Sequence, residues 1–364
     1  MAAPQRVSGT LALFAIGVTT CIVLKAFTWR PGLVAFRASN KSTETSNVLI
    51  LAHGRSGSSF LGQIFNSNPE VFYIYEPLIT FQVTTIRDSK LYEQSAKRLL
   101  DDLFNCRFGK QTEFLAFMSN MPLNRFSSHA LTTPYCKNTT RAKDNRTFVH
   151  CKDLDPLITS LSCTLHKHVV IKVLIHRLLP FLEEGYLATL FKSSGNMKII
   201  HLTRDPRAIV ASLDRVGWTF NKSVVNAASA NFSLFSTLTQ RFCSEMVQSL
   251  SFALSAEAKF RGRFKIVRYE DLVTTPLKVS KELFDFSGIP MSAKVAEYLT
   301  NSTRTNDRRN TYEYATVRNN VSKLIDSWRR QLNVKAVRAI ESHCLPVMKI
   351  LQYTPLYSHS LLRN

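Results

Sequence analysis

Residues 54–59, Gly54-Arg55-Ser56-Gly57-Ser58-Ser59, place a guanidinium, three hydroxyls and two glycines in one short turn. Glycine lets a backbone approach a ligand closely, and amide hydrogens converging at a helix start favour an anion. Arg55 adds a planar fork that matches a phosphate or sulfate group, and Ser58 or Ser59 can cap the helix or donate to an oxyanion. The same residues would also serve an ordinary strand–helix turn. The GxxxxGK[ST] pattern is absent, so the turn lacks the Lys and the Mg²⁺-holding hydroxyl of a P-loop nucleotidase. A second basic corner lies in residues 199–215, "IIHLTRDPRAIVASLDR". Asp205 is a good N-cap, Pro206 suits the first helical position, and Arg204 stands where a strand hands over to that helix. Ser212, about two turns on, would reach a ligand resting on the helix face.

For proton transfer the first choice is Glu76, which closes "VFYIYEP" and would emerge near the glycine–serine turn. Glu270 and Asp271 in "RYEDL" are rival acids, better suited to organising a pocket or capping a turn. His53 and His201 read as packed histidines. No CxxC and no Cys/His cluster is present, so no metal site is expected.

The elements that must hold these residues alternate. Apolar or β-branched runs at 48–52, 71–75, 169–175, 198–203 and 264–269 have strand length. Helical patterns fall at 59–65, 177–191, 206–216, 234–260 and 276–286. Strands separated by helices imply an α/β fold with a central parallel sheet, and ligands of such sheets bind beyond the carboxyl ends of the strands. Residues 90–162 break the rhythm. With Cys106, Cys136, Cys151 and adjoining Cys163, they read as an irregular insertion stapled by disulfides, and 307–354 reads as loop followed by helices.

The whole chain has 364 residues, 45% of them hydrophobic, and a net charge of +21 that favours an anionic partner. Residues 7–24 form an uncharged run bounded by Arg6 and Lys25, near the lower limit of about 17–25 residues for a spanning helix. The reading is a tail at 1–6, a transmembrane signal anchor at 7–27, a stem at 28–46 and a lumenal domain at 47–355. A cleaved signal peptide is the rival, and the basic residues flanking the run do not support this orientation. Support comes from N-x-S/T triplets at Asn40, Asn138, Asn145, Asn221, Asn231, Asn301 and Asn320, and from six cysteines outside the anchor, an even number suited to an oxidising lumen.

Taken together the stretches "HGRSGSSFL", "YIYEPL", "HVVIKVL", "KIIHLTRDPRAIVAS", "IVRYEDL" and "TVRNN" followed by "SWRRQL" resemble the Golgi carbohydrate 6-O-sulfotransferases. The resemblance runs from about 48 to 353. It implies a P-loop-like three-layer sandwich and transfer from 3′-phosphoadenosine 5′-phosphosulfate (PAPS) to the 6-hydroxyl of galactose, N-acetylgalactosamine or N-acetylglucosamine. It also implies roles. Arg55, Ser56, Gly57, Ser58 and Ser59 would bind the 5′-phosphosulfate, with Arg55 also aiding the leaving group. Arg204 and Ser212 would bind the 3′-phosphate, Arg318 is a further cofactor or acceptor candidate, and Glu76 would be the base. Acceptors would be keratan, chondroitin or N-acetylglucosamine-bearing glycans, with no nucleic acid; a homo-oligomer stays open. Two departures stand out. Ile79-Thr80-Phe81 replaces a Trp-His that family members often carry, and Leu213-Asp214 separates Ser212 from Arg215. The competing classes are a lumenal binder of acidic glycans without catalysis and a P-loop kinase.

Overall fold

The computed structural model describes residues 45–83, 89–133, 135–140, 147–217, 232–304 and 325–356. All belong to the second of the chain's two units, residues 44–364. The strands are β1 (Ser46–Ala52), β2 (Val71–Tyr75), β3 (Cys136–Thr140), β4 (Thr147–Cys151), β5 (His168–Leu174), β6 (Met197–Thr203) and β7 (Phe264–Arg268). The helices that matter below are α1 (Ser58–Asn66), α2 (Ser89–Phe104), α3 (Pro122–Phe126), α4 (Pro156–Leu165), α5 (Pro206–Val216), α6 (Phe232–Lys259), α7 (Tyr269–Thr274), α8 (Pro276–Ser287) and α9 (Val334–His343).

Five strands form one parallel sheet in the order β2-β5-β1-β6-β7. Strand β1 lies at its centre, with Leu49 paired to Ile171 on one side and Ile199 on the other. The chain leaves β1 toward β2 on one side and later crosses to β6 on the other. That makes the carboxyl end of β1 the switch point where such sheets bind ligands. Both faces of the sheet are covered, so its strands are near-continuous apolar runs rather than alternating ones. Leu49, Leu51, Ile74 and Val173 pack with Ala96, Leu99, Leu100 and Leu103 of α2 and with Ala253 and Ala256 of α6. Val48, Ile50, Val170 and Leu202 pack on the opposite face with Leu61 and Phe65 of α1 and Leu283 and Phe284 of α8. Burying each such side chain contributes about 1.5–3 kcal/mol. The result is the expected three-layer α/β arrangement.

Three expectations need correction. Residues 90–162 are not irregular. Their apolar residues at 96, 99, 100 and 103 follow helical spacing, and α2, further short helices and the strands β3 and β4 make up most of the described part of the segment. Residues 177–191 do not form one helix. Pro180 cannot donate to a preceding turn, and the chain makes 3-10 turns at Ile175–Arg177 and Leu179–Phe181 before the helix Glu184–Ser193. Strand β7 stops at Arg268, so Tyr269 opens α7 instead of ending the strand.

All six cysteines beyond the apolar run are paired: Cys106–Cys163, Cys136–Cys151 and Cys243–Cys344. The first ties the α2 end to α4, the second closes the hairpin, and the third joins α6 to the end of α9. Among the described residues no helix is long and apolar enough to cross a membrane. The 7–27 anchor, the stem up to residue 44, Arg318 and the triplets at Asn40, Asn145, Asn221, Asn231 and Asn320 lie outside the described residues. Asn138 and Asn301 are exposed.

Candidate active site

The turn after β1 is built to expose backbone. Arg55 has φ 65° and Gly57 φ 91°, both left-handed. A Cβ at Gly57 would lie 2.2 Å from Cδ2 of Tyr269, so the tyrosine ring and the turn fit only because that position is glycine. Ser56 is fully buried. Its hydroxyl donates to the His53 carbonyl at 2.7 Å, so this side chain closes the turn from within. Gly57 is the cap of α1 and supplies no side-chain cap; its carbonyl accepts from the Phe60 and Leu61 amides, which leaves the amides of Ser58 and Ser59 without intrahelical acceptors. The Ser59 hydroxyl lies 3.4 Å from that of Tyr75, linking α1 to the end of β2.

The second basic corner does not stand apart from this turn; the two touch. Arg55 Nε donates to Ser212 Oγ at 3.0 Å, and Arg204 Nη1 donates to the Arg55 carbonyl at 2.9 Å. Adjacent strands β1 and β6 bring both handover points to one edge of the sheet. The Arg204 guanidinium lies 4.5 Å above the Tyr269 ring, an arrangement that supports a buried cation. Asp205 caps α5 by accepting from the Arg207 amide. Arg207 itself is structural: it binds Asp205 and Glu341 and lies over Trp328, fastening α5 to α9. Glu270 accepts from the Asp205 amide and from the Tyr353 hydroxyl, so it organises this corner. Among the described residues no group of three His, Cys, Asp or Glu could hold a metal ion.

Glu76 sits one residue beyond β2 with φ 47°, another left-handed non-glycine residue, held by its amide on the Lys172 carbonyl at 2.9 Å. Its carboxylate is buried and paired to Lys172 Nζ and Arg177 Nη1. Burial opposes its charge, but the two cations overcome it and hold the pKa down at about 2. Strained backbone at Arg55 and Glu76 costs of order 1–3 kcal/mol each, and such residues gather at functional sites.

Glu76 faces a cleft of about 550 Å³ that begins at His53 and Gly54 beside the turn. Ile79, Leu174, Leu213, Leu238 and Phe242 make its apolar wall; Asn124, His176, Arg177, Arg241 and Glu245 bring polar groups. His53 is buried, bonds Ser249 Oγ at 2.9 Å through Nε2, and is held neutral by burial at a pKa of about 3; burial also lowers His201 to about 4. Both are packed histidines, as their sequence contexts imply. His176 is brought down to about 4, first by desolvation and then by Arg177.

The structure thus unites Arg55, Gly57, Arg204 and Ser212, and sets Glu76 on the neighbouring cleft. Sequence reasoning missed Lys172, Arg177, Tyr269 and Asn124. A lysine inside "HVVIKVL", an otherwise apolar strand, was the available signal for the first, because a buried charge requires a partner.

An anion cradle joined to a second basic corner at the switch point of a parallel sheet is what a nucleotide-dependent group transferase requires. Residues 45–352 match the family model "Sulfotransferase domain", and the chain belongs to the sulfotransferase family, enzymes whose sulfate donor is PAPS. It is 30% identical over 354 residues to "Carbohydrate sulfotransferase 1" of Danio rerio, covering 89% of this chain and 81% of that one. It is 27% identical over 374 residues to "Carbohydrate sulfotransferase 5" of Homo sapiens, covering 98% and 88%. Among solved structures, "Sulfotransferase Domain from the Curacin Biosynthetic Pathway" has 17% identity and a TM-score of 0.45, covering 86% of this chain and 99% of that one.

Proposed function

We propose that this sulfotransferase moves the sulfuryl group of PAPS to a sugar hydroxyl, the 6-hydroxyl of galactose, N-acetylgalactosamine or N-acetylglucosamine, on glycans in the Golgi lumen. The observation that carries the reading is the direct contact of Arg55 with Ser212 beside a cleft lined by Glu76. It makes one continuous anion site out of the two motifs. The donor supplies an activated sulfuryl group. Arg55 and the amides of Gly57 to Ser59 hold the 5′-phosphosulfate and stabilise the charge that grows on the leaving phosphate. Ser56 contributes by fixing the turn. Arg204 and Ser212 hold the 3′-phosphate, and Arg318 is a further candidate for a phosphate or the acceptor.

The sugar enters from the cleft, so that its hydroxyl oxygen bonds to sulfur as the sulfur–oxygen bond to the phosphate breaks. The hydroxyl proton passes to Glu76. A carboxylate at about 2 is charged at every physiological pH, yet it is a weak base. It serves because the hydroxyl becomes strongly acidic as its oxygen bonds to sulfur, so the proton leaves late. The relatives named carbohydrate sulfotransferases support a sugar acceptor. Residues 7–27 would anchor the enzyme as a type II membrane protein.

The test offers full-length protein labelled PAPS with keratan, chondroitin and N-acetylglucosamine-ended acceptors, and maps the sulfate by mass spectrometry. Glu76→Gln should lower transfer by about 10²–10⁴-fold while retaining binding of adenosine 3′,5′-bisphosphate. Full transfer by that variant removes Glu76 from the base role, and absence of transfer by the parent protein to all three acceptors overturns the reading.

A further inference from the structure

The cleft wall contains an amide that the protein does not satisfy. Asn124, on the short helix α3, is only 3% exposed, and its Nδ2 is buried without a hydrogen-bond partner among the described residues. A buried amide left unpaired costs about 1–3 kcal/mol, so such groups are rare unless a ligand or water completes them. Asn124 itself lies in the wall of the same cleft as Glu76, so a small turn of its side chain brings the amide to a ligand seated there. The backbone that carries it is anchored. The next residue, Arg125, is buried and anchored through Nε to the Leu131 carbonyl at 3.1 Å and through Nη2 to the Lys152 carbonyl at 2.5 Å. The residue is therefore held in place by its neighbour rather than by bonds of its amide.

The charged side chains among the cleft's described lining residues also come in opposite pairs. Arg177 faces Glu76, and Arg241 lies 3.3 Å from Glu245. Lys172 pairs with Glu76 from behind, and the described lining residues form no cluster of cations for a uronate or a sulfated sugar, although the whole chain carries +21. Apolar side chains such as Ile79, Leu213 and Phe242 suit the flat apolar side of a sugar ring.

We propose that Asn124 binds the acceptor: its amide donates to an oxygen of an uncharged sugar seated in the cleft and so holds the reacting hydroxyl beside Glu76. This deepens the sulfotransferase reading and rests on it for the identity of the reaction.

The experiment uses full-length protein, N-acetyllactosamine as the probe, and the variants Asn124→Leu and Asn124→Asp. Leucine has nearly the same volume and no polar atom; aspartate keeps the shape and cannot donate when ionised. Both should raise the acceptor KM by about tenfold, as the loss of one hydrogen bond predicts, and leave the PAPS KM unchanged. Asn124→Leu should also keep or raise Tm, because it removes an unpaired amide; a merely structural asparagine would leave the acceptor KM in place. An acceptor KM within twofold of the parent, or an equal rise in the PAPS KM, overturns the proposal. Binding of N-acetyllactosamine is measured in parallel by calorimetry. If the parent binds the sugar, transfers no sulfate and loses binding on Asn124→Leu, the Asn124 assignment stands and the reaction fails. If the parent does not bind the sugar, the assignment fails.

Discussion

Replacing Glu76 by Gln should weaken the fold in a way that depends on pH. The Glu76 pKa falls from 4.5 to about 2 in the folded protein. That difference corresponds to about 3 kcal/mol of stabilisation, and the carboxylate is buried, so solvent screening removes little of it. The sign follows from the direction. A carboxylate whose pKa drops on folding stabilises fully above its unfolded value of 4.5, and the contribution disappears as pH falls toward 2. At pH 3, about 1.4 kcal/mol should remain. Gln also leaves Lys172 and Arg177 without their shared anion, so the loss at pH 7 should be about 3–5 kcal/mol. For a domain of roughly 300 residues, each kcal/mol moves Tm by about 1.5 °C, so the variant should melt about 5–8 °C lower. The assay is thermal unfolding of both proteins between pH 7 and pH 3. Other carboxylates titrate equally in the two proteins and cancel. A gap that stays constant over that range, or one below about 1 kcal/mol at pH 7, would refute the reasoning.

Gly57→Ala forces a Cβ against Tyr269 at a φ of 91°; the expected loss is more than about 1 kcal/mol of stability and at least tenfold in adenosine 3′,5′-bisphosphate affinity, read by calorimetry and melting. Ser212→Ala removes the hydroxyl that meets Arg55 Nε and should weaken the same ligand by about ten- to a hundredfold without changing the acceptor KM. Cys344→Ser opens the bridge to Cys243, whose ends are 101 residues apart, and should cost about 2–5 kcal/mol in non-reducing melts. Reduction of the parent protein opens Cys106–Cys163 and Cys136–Cys151 as well, so it should lower Tm further than this single variant does.

Much of the sheet was legible because a strand buried on both faces leaves a plain apolar run. The two basic corners were legible because each sits at a strand–helix handover. What joins them was not. Tyr75 lies beside Lys172 because β2 pairs with β5, and that order follows from long-range packing rather than from any local pattern. The partners of Glu76 were therefore hidden, although the Glu-Pro that closes β2 stands out in the sequence. The helix α2 was hidden because its apolar stripe is narrow, Ala96, Leu99, Leu100 and Leu103 at helical spacing in an otherwise largely polar stretch. Asn124 carries no signature at all, since only the closed fold shows that its amide lacks a partner.

The central place of β1 has a consequence for biosynthesis. Its neighbours begin at His168 and Met197, so the first strand made must wait for partners encoded far downstream. The amide of Ser46 meets His168 across 122 residues. At roughly 5–20 residues per second, that separation leaves an apolar strand without its partners on the nascent chain for roughly 6–24 s, an interval in which it is open to wrong pairing.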